Sequence, residues 1–210
     1  GGVFTNLTRD HLDYHETFAA YRDVKKRFFD NLPATAFALV NNDDKNGAYM
    51  LQNTKAYKYT YALKTAADFK AHIIENRFDG LLLRINQQEV WTKLIGEFNA
   101  YNLLAVFGVA TLLGVDKIEA LTLLSSISPV AGRFQYAVSA TGVITIVDYA
   151  HTPDALEKLL TSARAITKQR IILVFGATGD RDKAKRPIMG EIAARLADQI
   201  IVTDEESYNE

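Results

Sequence analysis

The sequence predicts an α/β protein, and three observations carry that class. Short apolar runs bounded by turn residues read as strands over much of the chain. Between them lie segments whose apolar residues recur at helical spacing. Beyond residue 135, strands and helices alternate cleanly, the pattern of a parallel sheet with helices packed on its faces. The 210 residues suffice for one large domain or two small ones, and 48% hydrophobic with 23% charged residues allows a core of normal size.

The elements follow in order. Residues 3–7 read as a strand end. Over residues 17–32, Phe18, Tyr21, Val24, Phe28 and Phe29 mark a helix that Pro33 stops. Residues 35–41 form a short apolar strand, closed by the turn Asn41-Asn42-Asp43-Asp44. Residues 57–63, 71–75, 80–85 and 90–95 read as strands, mostly in hairpins. Residues 98–113 form a strongly apolar helix with Gly114 as its cap, and residues 117–126 form a second. Residues 129–133 are a loop, and a domain boundary falls near Gln135. The remainder predicts strands at 143–148, 170–175 and 199–202, with helices at 153–167 and 187–197. Ligands of such sheets bind at the carboxyl ends of the strands. That places the loops 148–152, 176–183 and 204–208 along one rim.

Several classes are excluded or disfavoured. A formal net charge of −1 offers no broad basic footprint for nucleic acid. No apolar run reaches 18 residues, so no membrane span is expected. The chain has no cysteine, which rules out disulfides and thiolate metal sites and fits the cytoplasm. The amino terminus is not a signal peptide, and both ends read as cuts through a longer protein. A piece of this kind is expected to expose edge strands and to associate or misfold alone.

Six segments carry chemistry. Asp10, His11, Asp13 and His15 offer imidazole and carboxylate groups that can hold a divalent cation, or simply cap a helix. Lys25 sits seven residues after Phe18 and four after Tyr21, on or near the apolar face; partial burial there would favour a neutral, nucleophilic amine. A lysine on a solvated face is the plain alternative. Asn99 and Asn102 lie three apart and share a helix face, where their carboxamides suit a purine edge. Otherwise Asn99 is a helix cap and Asn102 a satisfied buried amide. Arg133, after Gly132, can clamp a phosphate or pair with a surface carboxylate. Asp148, Tyr149 and His151 run from a strand end into a helix that Pro153 opens. Gly176 and Gly179 lie in a turn that can present N–H groups to an anion, and Arg181, Lys183, Lys185 and Arg186 follow. No Gly-Lys-Ser or Gly-Lys-Thr occurs, so this is not a Walker motif.

In this order the phrases FTNLTRDHLDYH, GEFNAYNLLAV, VAGRF, VDYAHTPDALEK and GATGDRDKAKRPIMGEIA resemble the Mur ligases of cell-wall synthesis. The likeness covers nearly the whole chain. VDYAHTPDALEK and GDRDKAKRP point to the branch that adds the third residue to UDP-N-acetylmuramoyl-L-alanyl-D-glutamate. The resemblance implies the second half of a central ATPase domain over residues 1–135 and the first half of a Rossmann-like C-terminal domain over 136–210. It implies ATP and Mg2+ as cofactors, the UDP-linked dipeptide and an amino acid (diaminopimelate or lysine) as substrates, and a cytoplasmic enzyme that is monomeric when full length. ATP would phosphorylate the substrate carboxylate, and the incoming amine would displace phosphate from the acyl phosphate.

By motif position, His11 resembles a magnesium ligand and Lys25 the lysine that carries CO2 as a carbamate and reaches the metal through it. Asn99 and Asn102 resemble the adenine-contacting pair. Arg133 and Asp148 resemble ATP contacts, and Tyr149 and His151 belong to the same motif. Arg181 resembles the residue that grips the incoming amino acid's carboxylate, and Asp204 and Glu205 fall in the loop that reads its side chain. Two departures matter. The phosphate-binding loop would lie upstream of Gly1, so this piece is expected to be inactive alone. Relatives that add meso-diaminopimelate carry Asp-Asn-Pro-Arg where this chain has Glu205-Glu206-Ser207-Tyr208, an acidic stretch that suits a cationic side chain such as lysine. Another Mur-type or folylpolyglutamate-type amide ligase, or a non-catalytic nucleotide-binding module, are the competing readings.

Overall fold

The computed structural model describes residues 1–8, 17–179 and 182–206. They fall into two units, Gly1–Ser128 and Pro129–Glu210.

The first unit is built on a six-stranded sheet in the order β1-β2-β3-β4-β5-β6. Its strands are β1 (Gly2–Phe4), β2 (Phe37–Asn41), β3 (Tyr57–Ala62), β4 (Phe69–Arg77), β5 (Gly80–Ile85) and β6 (Gln88–Thr92). The first four are parallel, with Gly2 opposite Ala38, Phe37 opposite Tyr57 and Tyr61 opposite Phe69. Only β4, β5 and β6 form the expected hairpins. The link from β3 to β4 is short for a parallel pair. Asp68 closes it by accepting from the Thr60 N–H (2.8 Å) and hydroxyl (2.7 Å). Between β5 and β6, Asn86 and Gln87 both have positive φ, 47° and 73°. That is the backbone of a tight two-residue hairpin, and it starts β6 earlier than the apolar run alone suggested.

Helix α1 (Phe18–Asp30) begins at Thr17, whose hydroxyl accepts from the Ala20 N–H. A short helix that the sequence reading lacked, α2 (Gly47–Met50), follows β2. Helix α3 (Glu97–Leu112) lays Leu103, Leu104 and Phe107 against Leu39, Tyr61, Phe69, Leu81, Leu83 and Ile85 of the sheet. Its N-cap is Gly96, with φ +91°, a conformation that costs a β-carbon-bearing residue. Helix α4 (Lys117–Ser126) completes this layer with Ala120, Leu121 and Leu124. A second cluster joins Phe4, Phe29, Ala38, Val40 and Met50.

The second unit holds β7 (Gln135–Val138), β8 (Ile144–Val147), α5 (Pro153–Ile166), β9 (Ile172–Phe175), α6 (Lys185–Leu196) and β10 (Gln199–Val202). β9 and β10 are parallel, with Ile172 opposite Gln199, and α6 connects them. α5 and α6 share a core of Leu156, Leu160, Met189, Ile192 and Ala193 with Leu173 of β9. Leu156, Leu160 and Ala163 fall at helical spacing on one face of α5. The strand-helix alternation predicted a single parallel sheet. Among the described residues, β8 instead hydrogen-bonds to β7 in an antiparallel hairpin. β7 was absent from the sequence reading, although Thr141-Gly142 between alternating residues is a hairpin signal, and Gly142 takes φ +82°.

Candidate functional site

The candidate residues are described unit by unit. In the first, two of the expected segments are visible. His11, with Asp10, Asp13 and His15, lies outside the described residues. No group of three or more metal-ligating side chains occurs among the described residues.

Lys25 corrects the sequence reading. It is exposed, and the buried lysine of α1 is Lys26. Phe29 enters the core beside Phe4, and Lys26 pairs with Asp30 beneath Tyr49, whose ring centroid lies 5.4 Å from the Lys26 Nζ. Lys25 lies about 40° round the helix from both Tyr21 and Phe29, on the face the spacing predicted. Tyr49 covers Lys26, and Lys25 is left exposed. Val24 and Phe28, expected on the apolar face, are exposed as well. The Lys25 Nζ lies 5.4 Å from the centroid of the Tyr21 ring, with no carboxylate partner among the described contacts.

The amide pair opens α3. The Asn99 Nδ2 donates to the Ile95 carbonyl (2.8 Å), and the Asn102 Nδ2 donates to the Asn99 Oδ1 (3.2 Å). Gly96, not Asn99, is the cap, and Asn102 is exposed rather than a buried amide. Neither the cap nor the buried-amide reading therefore applies, and both side chains are partly or fully accessible. With its N–H turned to Asn99, Asn102 keeps its Oδ1 to accept an exocyclic amine.

A polar residue that the sequence reading took only as part of a turn stands nearby. The Asp43 carboxylate accepts from the backbone N–H groups of Leu63 (2.8 Å), Lys64 (2.9 Å) and Thr65 (2.8 Å). It also accepts from the Thr65 and Tyr101 hydroxyls, each at 2.8 Å. Burial raises the Asp43 carboxyl, but the N–H groups of Lys64 and Thr65 and the two hydroxyls outweigh it and hold it well below the usual carboxylate range. Burial, then the hydrogen bond to Asp43, pushes the Tyr101 phenol up. The sequence signal available was an Asx-rich turn, which gives no hint of partners 20 and 58 residues away.

In the second unit, the Phe134 N–H donates to the Asp148 Oδ2 (2.8 Å). Phe134 is buried at φ +47°. Its bond ties the loop before β7 to the end of β8. Arg133 stacks over the exposed Tyr149 ring, 4.8 Å from its centroid. The His151 ring also contacts Tyr149, at 4.8 Å between centroids, with its Nδ1 2.9 Å from the Tyr149 carbonyl. Arg133, Asp148, Tyr149 and His151 thus form one cluster, joined to the start of α6 where the Lys185 Nζ donates to the His151 carbonyl (3.0 Å). Its polar groups can serve a phosphate through Arg133 and hydroxyls through the remaining Asp148 oxygen.

The loops after β9 and β10 also meet. A β-carbon on Gly176 would lie 2.6 Å from the Thr203 carbonyl and 3.3 Å from the Glu205 Cβ, so only glycine permits this approach. The Gly179 N–H donates to the Glu206 carbonyl (2.8 Å). That N–H is therefore engaged within the protein, and the anion cradle expected there is narrower than the sequence suggested. Arg181 and Asp180 lie outside the described residues. Asp204 and Glu205 are exposed.

The comparisons with known proteins bear on this arrangement. The Mur ligase middle domain matches residues 1–110, and the Mur ligase glutamate ligase domain matches residues 132–210. A relative from Parabacteroides distasonis, UDP-N-acetylmuramoyl-L-alanyl-D-glutamate--2,6-diaminopimelate ligase, is 56% identical over 98% of this chain. The chain spans 43% of that relative's length. A solved structure of a ligase of the same name is 32% identical with a TM-score of 0.67, over 99% of this chain and 44% of that one. The MurF ligase of Thermotoga maritima, solved with ADP, shares the fold with a TM-score of 0.74 at 20% identity, over 95% of this chain and 47% of that one. Two consecutive domains of one family, matched in order along a single chain whose motif residues cluster as described, leave one assignment: the chain belongs to the Mur ligase family.

Proposed function

We propose that this chain is part of an ATP-dependent ligase that adds diaminopimelate to UDP-N-acetylmuramoyl-L-alanyl-D-glutamate in peptidoglycan synthesis. The observation that carries the reading is 56% identity, over 98% of the chain, to a relative named for that reaction. We assign Gly1–Ser128 to its central domain and Pro129–Glu210 to its C-terminal domain; the boundary expected near Gln135 would cut β7, which begins there. The enzyme works in the cytoplasm as a monomer, and its product serves wall growth, cell shape and division.

ATP is the cofactor. Asn99 and Asn102 meet the adenine edge. Arg133 and Asp148 contact the rest of the nucleotide, with Tyr149 holding the Arg133 guanidinium and His151 bracing Tyr149. Mg2+ fits a donor set of His11 and a Lys25 carbamate. Carbamate formation joins an amine to CO2 with loss of a proton, and it needs an accessible lysine without an ion-pair partner. Lys25 meets that condition, and Lys26, paired with Asp30, does not. The metal, when bound, neutralises charge on the transferring phosphoryl group. Arg181 receives the incoming amino acid's carboxylate, and Asp204 and Glu205 receive its distal ammonium.

That acidic loop favours a second substrate. Lysine offers an ammonium without the distal carboxylate that an arginine would read, and no arginine occurs in residues 204–210. Phosphate release by the full-length protein, with ATP and the UDP-dipeptide, decides between them. We expect release that depends on diaminopimelate. Release with lysine alone would move the assignment to lysine, and release with neither would remove the ligase reading.

A further inference from the structure

The Asp43 carboxylate is the point where three segments of the first unit converge. It lies just after β2. Its oxygens bind the backbone of residues 63–65, the loop that leaves β3. Asn42 fastens the same loop from the side, donating to the Thr65 Oγ1 (3.2 Å) and the Ala66 carbonyl (2.9 Å). The third segment is α3, through the Tyr101 hydroxyl.

Tyr101 sits between Asn99 and Asn102 in sequence but not in space. At about 100° per residue it lies about 100° round α3 from Asn102 and about 160° from Asn99. It therefore points away from the amide pair and toward the Asp43 turn. The start of α3 has no side-chain cap, because Gly96 has no side chain to offer. The Lys64–Glu97 pair (2.8 Å) is exposed on both sides and restrains little. A phenol donating to a carboxylate that is itself fixed by three backbone N–H groups is a far stiffer support. Two amides that read a base edge need their geometry held to about 0.5 Å, and a support one shell out commonly supplies it.

We propose that Asp43 and Tyr101 are positioning residues for nucleotide recognition: their hydrogen bond fixes the rotation of α3 and so aims Asn99 and Asn102 at the adenine edge. The proposal rests on the assignment of those two asparagines to the base.

The test uses the full-length ligase with ATP and with inosine triphosphate, which carries an oxo group where adenine has its exocyclic amine. Tyr101→Phe keeps the ring and removes the hydroxyl. It is expected to raise KM for ATP about 5- to 10-fold, the factor that loss of one hydrogen bond produces. It should leave kcat within about twofold, leave KM for the UDP-dipeptide unchanged, and reduce the preference for ATP over inosine triphosphate. Asp43→Asn sets an NH2 group against donors at one of the two accepting positions and should move the same quantities at least as far. A Tyr101→Phe protein that melts earlier yet keeps its KM for ATP and its base preference shows a purely structural bond and overturns the proposal. Asn102→Ala separates the two layers of the argument. If it abolishes the base preference while Tyr101→Phe and Asp43→Asn preserve it, the positioning role alone is wrong. If Asn102→Ala itself leaves the preference intact, the adenine assignment fails and the positioning role falls with it.

Discussion

The two units hold their polar side chains differently. In the first, Asp43 is bound by five donors, and Asn99 is tied to the backbone one turn earlier. In the second, Arg133, Tyr149, His151, Asp204 and Glu205 are exposed or half-buried, and their restraints are ring contacts and single bonds. Both units bury apolar side chains: α3 packs Leu103, Leu104 and Phe107 against the wide sheet, and α5 and α6 pack Leu156, Leu160 and Met189 on Leu173. A pair proposed to read a base and held in this way is organised before its ligand arrives. Exposed side chains on loops take their order from the ligand and lose some binding energy in doing so. The first unit thus has the character of a fixed template, and the second that of an adaptable clasp.

The sharpest challenge to the template is Lys25, the one proposed catalytic side chain there that is exposed and unpaired among the described residues. Lys25→Ala is expected to lower the turnover of the full-length enzyme by at least about 10²–10³-fold, the scale seen when a charge-stabilising group is lost. Thermal stability should hardly change, because no buried surface is removed. Full activity in that variant would end the carbamate assignment. Packing is tested next. Leu104→Ala should cost about 2–5 kcal/mol in the first unit, and Leu160→Ala a value nearer the lower bound in the second, whose surroundings can collapse more easily. The single tryptophan, Trp91, lies in β6, so its fluorescence follows the first unit while far-UV circular dichroism follows both. Equal costs, read from the Trp91 transition for Leu104→Ala and from the circular-dichroism transition for Leu160→Ala, would erase the distinction.

Legibility in the sequence divides along physical lines. Helices with long apolar periodicity were readable to within a few residues: α3, α4 and α5 need only local spacing and caps. Strand partners were not readable. β3 looks like a hairpin strand locally but runs parallel to both β2 and β4, because pairing depends on contacts far apart in sequence. Lys25 shows the same limit on a helix. Its spacing from Phe18 and Tyr21 was read correctly, but whether a position on that face is buried depends on what packs over it, and Tyr49, a residue on another helix, covers Lys26 while Lys25 stays exposed. Asn99, Asn102, Arg133, Asp148, Tyr149 and His151 were singled out by motif, and their ligand contacts are proposals. Asp43 was missed, because its role lies entirely in its distant partners.

Acid separates the units by a smaller margin. The folded Asp43 carboxyl titrates below its unfolded value of about 3.9, so the unfolded chain binds the extra proton first. Its stabilisation is complete above that value and is lost as pH falls below about 4. Lys64, Glu97, Tyr61 and Tyr101 are the other titratable groups around it. Asp43→Asn should lower stability by about 1–3 kcal/mol at neutral pH and flatten the acid limb of the Trp91 transition. In the second unit, the Ile171 N–H and then the Arg164 guanidinium lower the Asp198 carboxyl in the same direction. Asp198 is solvent-exposed, so Asp198→Asn should alter the acid limb of the circular-dichroism transition far less. A larger effect at Asp198 would reverse the ranking of the units.

The smallest expected difference concerns two helix caps, and it isolates local chemistry from packing. In the first unit, the Asp116 Oδ1 accepts from the Ile118 N–H (2.9 Å) and the Glu119 N–H (3.1 Å) at the start of α4. In the second, the Thr152 hydroxyl accepts from the Ala155 N–H (3.3 Å) at the start of α5. Asp116 makes two bonds and adds a negative charge at a positive helix end, so Asp116→Ala should cost about 1–2 kcal/mol and Thr152→Ala about 0.5–1 kcal/mol. The charge portion is screened by salt and the hydrogen bonds are not. Chemical denaturation by urea at low and at about 1 M salt should therefore bring the two costs together. If they converge, cap strength is set by the capping side chain, and the contrast between the units lies in the Asp43 network. If Thr152→Ala stays much cheaper at high salt, the second unit tolerates local loosening at its helix ends, and the clasp extends to its scaffold.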